Sequence, residues 1–128
     1  MSDNQRSRQI EELTLGLPGL EISEALELLG GNVEIYFKFL RKFYSQYKIR
    51  LPEFHGLLEA GNLVEAHRFV HGLKSLAGNL GAPELRSAAI ELEKSMARGS
   101  RVPREEDVEQ FVQELSAVLM QVGIFLDR

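Results

Sequence analysis

Residues 66–82 read AHRFVHGLKSLAGNLGA, and the folding of this stretch decides the reading of the whole chain. Leu63, Ala66, Val70, Leu73, Ala77 and Leu80 recur at spacings of three, four, three, four and three. That is the rhythm of a helix with one buried seam. At 100° per residue, the centre of the seam lies about 130° from His71, so His71 points to solvent. Its neighbours one turn away are His67 and Arg68 before it and Lys74 and Ser75 after it, with Gly78 two turns on. The stretch also holds three glycines, and inside a helix each costs about 1 kcal/mol relative to alanine. A bare surface around an exposed imidazole needs a reason.

Working outward from this helix, the same periodicity recurs on both sides. Val33, Tyr36, Phe37, Leu40, Phe43, Tyr44 and Tyr47 form one apolar stripe. Val108, Phe111, Val112, Leu115, Val118, Leu119, Val122, Phe125 and Leu126 form another, on a helix predicted over 104–127 and about 36 Å long. Gly30-Gly31-Asn32 closes a short N-terminal helix and caps the next. Pro52 is suited to the first turn of a short helix reaching to about Ala60. Gly61-Asn62 then opens the His71 helix, with Glu65 placed to complete a box-like cap around Asn62. Gly81-Ala82-Pro83 makes a tight corner, and residues 99–103 make the longest break. Arg104-Glu105-Glu106-Asp107 puts carboxylates where the helix dipole favours them.

Short connections between amphipathic helices imply antiparallel neighbours. The expected fold is all-α: an up-and-down antiparallel four-helix bundle with one or two extra N-terminal helices. Its core helices are placed at 51–60, 63–80, 83–98 and 104–127, with a helix at 32–48 packed across one end or side. Residues 1–17 show no periodicity and read as a loose segment, leaving 18–128 as the bundle domain.

Composition removes several classes of function. A chain of 128 residues suits one domain. With no cysteine, disulfides and thiolate metal sites are excluded. The net charge of −4 is scattered along the chain, which argues against nucleic acid as a partner. No apolar run approaches the roughly 18 residues of a membrane span, and the polar start lacks the apolar core of an export signal. A soluble cytoplasmic domain without membrane contact is the expectation.

The surroundings of His71 suit one kind of chemistry. An exposed imidazole with an ordinary pKa near 6.5 is largely neutral at cytoplasmic pH and therefore nucleophilic. Lys74 offers a point charge for a phosphoryl oxygen. Ser75 and Gly78 remove bulk, which lets another protein approach the ring. No carboxylates cluster beside His71 to hold Mg²⁺, and there is no Gly-rich phosphate loop. Glu91, Glu93 and Lys94 read as a solvated face. Phe69 and Leu76, at the edge of the seam, are expected to pack.

The segment from His71 to Ala82, HGLKSLAGNLGA, resembles the signature of histidine-containing phosphotransfer (HPt) domains of bacterial phosphorelays. That pattern has a histidine, a leucine two residues on, a lysine three residues on, small residues, and Leu-Gly-Ala at a corner. Leu85, Ala88, Leu92 and Glu93 resemble the family's following helix. LPGLEISEALELLGGNVEIYFKFL resembles the lead-in of such domains in hybrid sensor kinases. One departure is Ser75, where many members carry glycine.

The resemblance implies a phosphorelay carrier that takes a phosphoryl group on His71 from a receiver-domain aspartate and passes it to another receiver. It makes Nε2 of His71 the nucleophile, Lys74 the electrostatic stabiliser, and Ser75, Gly78, His67 and Arg68 the surface a partner meets. Receivers of response regulators or hybrid kinases would be the partners and would bring the Mg²⁺, the domain holding no cofactor of its own. A monomer without ATP-dependent kinase activity is expected. Two other readings stay open: a docking bundle with a silent histidine, and a divalent-metal site on His67 and His71 with His55 or a carboxylate as third ligand.

Overall fold

Burying the apolar stripes produces six helices among the described residues, joined by short turns. The computed structural model of the chain describes residues 3–128. In chain order the helices are α1 (Asp3–Gly16), α2 (Ile22–Leu28), α3 (Val33–Glu59), α4 (Leu63–Leu80), α5 (Pro83–Met96) and α6 (Glu105–Leu126). A 3₁₀ turn over Ala97–Gly99 follows α5. Helices α3 to α6 form the four-helix bundle: α3 packs on α4 and α6, and α5 packs on α4 and α6. Helices α1 and α2 are the N-terminal additions.

The seam of α4 is buried as its spacing requires: Ala66, Val70, Leu73, Ala77 and Leu80 have no exposed surface, and Leu63 is half-buried. Phe69 packs face to face with Phe54 at 4.9 Å between ring centroids. The same Phe54 meets Phe111 edge-on at 5.4 Å. These three rings join α3, α4 and α6 at the centre of the bundle, in the offset and edge geometries that aromatic quadrupoles favour. Tyr36 is also fully buried and donates to the carbonyl of Leu80 at 2.8 Å. That bond satisfies an orphan carbonyl at the end of α4. Burial pushes the Tyr36 hydroxyl well above its ordinary range.

The structure corrects four expectations. The helices placed at 32–48 and 51–60 are one, α3, which continues through Pro52. Proline inside a helix costs about 3 kcal/mol. Here Tyr47 and Phe54, seven residues apart on either side of it, are both buried on one stripe, and their burial outweighs that cost. Pro52 itself faces solvent. The first bundle helix therefore includes 32–48 instead of carrying it across one end.

The loose segment read over 1–17 is helical from Asp3 to Gly16, tethered by fully buried Leu13 and Leu17. Met1 and Ser2 lie outside the described residues. A single pair of leucines four apart gives too little periodicity to be seen in the sequence, yet it suffices to dock the helix. The cap expected from Asn62 does not form: its side chain makes no capping bond, and Glu65 instead takes Arg68 at 2.6 Å. The helix placed at 83–98 stops at Met96, because Ala97, Arg98 and Gly99 all have positive φ. Asn32, by contrast, caps α3 as its side chain accepts from the Ile35 N–H at 3.1 Å.

Candidate functional site

The corner at Gly81 sets the site. Gly81 has φ +77°, and a Cβ there would lie 2.5 Å from the backbone oxygen of Glu21, so only glycine fits. Pro83 then starts α5. The chain reverses tightly, and α5 runs back along α4 so that position 93 comes level with positions 71 and 74.

Glu93 is the hub of the resulting cluster. Its Oε2 lies 2.6 Å from Nδ1 of His71, and its Oε1 accepts from Nζ of Lys74 at 2.9 Å. His67 Nε2 stands 3.9 Å from the same Oε2. The His67 and His71 rings are stacked, 6.0 Å apart with 21° between planes. Burial pushes the Glu93 carboxyl up, but the hydrogen bonds and charges of Lys74 and His71 outweigh it and hold the group below the usual carboxylate range. The cluster is an ionised carboxylate held between a lysine and an imidazole.

Ionised carboxylates only accept, so the hydrogen shared with His71 belongs to Nδ1. In the neutral ring the other nitrogen, Nε2, then carries the lone pair. The His71 side chain is 61% exposed, against 19% for His67 and 25% for Lys74. One imidazole is presented to solvent with its tautomer and orientation set from behind, an arrangement suited to a nucleophile or a proton acceptor.

Around the ring the surface is open on one side and populated on the other. A Cβ added at Gly72 would meet nothing within 4 Å, and Ser75 is exposed. Gly78 is less bare than its sequence suggests, because the Arg86 side chain from α5 lies 3.6 Å from where its Cβ would be. Arg68 is paired with Glu65 on the outer face of α4. The structure therefore brings His71, Lys74 and His67 together and leaves Arg68 turned to its own helix.

The residue that sequence reasoning misplaced is Glu93, read as part of a solvated face. It is half-buried and paired to the site, while Glu91 and Lys94 pair with each other at 3.4 Å on the exposed side. The available signal was the antiparallel return at Gly81, which sets a residue near 93 opposite one near 71. Arg86 was missed for the same reason. His55 contacts Phe54 on α3, and among the described residues no group of three or more histidine, cysteine or acidic side chains is placed to hold a metal ion. Nor is any helix of the described residues long and apolar enough to cross a membrane.

Comparison with known families matches the model described as "Hpt domain" over residues 38–121, which span the bundle from α3 into α6. Neither a curated protein nor a solved structure matches the chain. The matched span covers most of the chain, and with it His71, Lys74 and Glu93 on their two facing helices. The chain belongs to the Hpt domain family, the histidine-phosphotransfer carriers of phosphorelays.

Proposed function

We propose that His71 is the phosphoacceptor of this domain. Its Nε2 lone pair attacks the phosphorus of an aspartyl phosphate on a receiver domain. The N–P bond forms as the P–O bond to the aspartate breaks, and the electron pair leaves with the restored carboxylate. The reverse step delivers the phosphoryl group to an aspartate of a second receiver. Phosphoryl transfer proceeds through a loose, in-line transition state in which positioning and charge do most of the work. Glu93 orients the imidazole through Nδ1, and Lys74, held beside it by the same carboxylate, stabilises the charge on the transferring group. The receiver supplies Mg²⁺, and its approach crosses the open surface at Gly72 and Ser75. The domain acts without ATP and as a monomer.

The observation that carries this reading is the exposed imidazole whose rear nitrogen is bound to a charged carboxylate. The test is to incubate the chain with radiolabelled phosphoreceivers from the source organism and follow acid-labile, base-stable label. Transfer to the chain, and its loss in His71→Gln, is expected. Label retained by His71→Gln would move the acceptor elsewhere, and no transfer from any receiver would leave a docking bundle.

A further inference from the structure

Charge that reads as scattered over the whole chain is uneven on the scale of one helix. The chain has 15 basic and 19 acidic residues, yet the segment between Glu34 and Glu53 holds five of the basic ones and no acid, leaving ten against 19 elsewhere. Four of the five, Lys38, Arg41, Lys42 and Lys48, fall within about 120° of arc on α3, and all four are exposed. Among the described residues none of the four forms an ion pair. Lys48 lies over the Tyr44 ring at 5.3 Å. Like charges three and four residues apart on a helix repel, and the acids that could relieve them lie elsewhere in the chain.

Along one side of this stripe, the side of Arg41 and Lys48, runs a cleft of mixed apolar and polar lining. It has a volume of about 530 Å³ between α3 and α6, lined by Tyr44, Lys48, Leu119, Met120, Gly123 and Ile124, with Leu126 and one carboxylate, that of Asp127, completing its wall. Met120 and Ile124, one turn apart on α6, are 68% and 69% exposed. A Cβ at Gly123 would sit 2.7 Å from the Tyr44 ring, so glycine is what lets that ring lie against α6 as the floor of the cleft. The α3–α6 edge is diagonally across the bundle from the α4–α5 edge, where His71 meets Glu93.

We propose that this edge is a second docking surface, and that its occupant is an acidic amphipathic helix of a protein partner. The helix would place apolar side chains in the cleft and carboxylates along the α3 cations. A receiver engaged with His71 cannot be that occupant, since it sits at the opposite edge. An anionic bilayer is disfavoured because a charged plane acts on the whole molecule, including the −9 balance outside the stripe. A docked helix within the Debye length of about 8 Å feels mainly the local cations. The surface leaves His71 free, so a tether bound here would hold the carrier near its receivers. The proposal does not depend on which residue is the phosphoacceptor.

The test uses two synthetic amphipathic helices of about 18 residues, or five turns, one of leucine and glutamate and one of leucine and lysine. Each is titrated into the full chain and followed by amide NMR. The leucine–glutamate peptide should shift Tyr44, Met120, Gly123 and Ile124, and its binding should weaken as salt rises. Its affinity should fall about tenfold or more for the variant Lys38→Glu, Arg41→Glu, Lys42→Glu, Lys48→Glu, with thermal unfolding of that variant checked to show an intact fold. Equal binding of both peptides, shifts centred on α4 and α5, or no shifts would overturn the proposal. So would binding to phosphatidylglycerol vesicles in the absence of peptide binding, which would make the surface a lipid contact.

Discussion

At the scale of the residue, the decisive group is Glu93. It is half-buried behind His71 and Lys74, and in the proposed mechanism it acts through them. Replacing it with alanine removes the acceptor behind Nδ1 and frees Lys74. Phosphoryl transfer to His71 should slow by about one to two orders of magnitude, the scale on which small misplacements of a reacting group are felt. Glu93→Gln keeps an acceptor oxygen but not the charge, so it should recover part of the rate. Single-turnover transfer from a labelled receiver measures both, and nitrogen-15 NMR of the imidazole should show the Nδ1–H tautomer giving way in Glu93→Ala. A structural role alone would leave the tautomer unchanged. The carboxyl of Glu93 is held below the ordinary range in the folded chain. Its contribution to stability is therefore present above the usual carboxylate pKa and is lost as pH falls through the lowered value. Glu93→Gln should flatten that part of the acid unfolding curve.

Among the helices, two local rules are broken, and each break is a place to gain stability. Pro52 interrupts the hydrogen bonding of α3 at an exposed position. Pro52→Ala should raise the unfolding free energy by about 1–3 kcal/mol, the helix gain being partly offset by a more flexible unfolded chain. Urea denaturation measures it. Ala97 ends α5 with φ +45°, in the left-handed region where a Cβ is strained. Ala97→Gly should stabilise by about 1 kcal/mol, read in the same experiment. Gly99, two residues along, is a different case: a Cβ there would come 2.9 Å from Cα of Val64, so the turn is pressed onto the start of α4 and tolerates no side chain. Helix identity was legible in the apolar periods of α3, α4 and α6. The union of α3 across Pro52 was not, because a proline is a local signal and the buried pair Tyr47 and Phe54 that overrides it is a tertiary one.

On the scale of the whole molecule, the bundle separates two faces. The exposed imidazole of His71 opens at the α4–α5 edge, and the cleft lies at the α3–α6 edge with the α3 cations running outward from it. The aromatic centre of Phe54, Phe69 and Phe111 binds three helices from within, so neither face is needed to complete the core. A monomer is the expected state, and sedimentation equilibrium should return a single species of 14.5 kDa. A stable dimer would mean that one of the exposed faces is closed by a second copy.

The sequence by itself determined the all-α class, the buried faces of α3, α4 and α6, the antiparallel order of the bundle, the outward direction of His71 and the company of Lys74. These follow from periods along one chain: apolar spacing sets which side of a helix is buried, and everything else on that helix is placed by angle. It also carried the family signature. Tertiary structure alone decided that Glu93 stands behind the imidazole, that Arg86 lies beside Gly78, and that residues 3–16 dock as a helix. Each of these depends on which residue of one helix faces which residue of another. That pairing is set by the depth of a turn and the fit of side chains across a gap, quantities no pattern within a single helix contains.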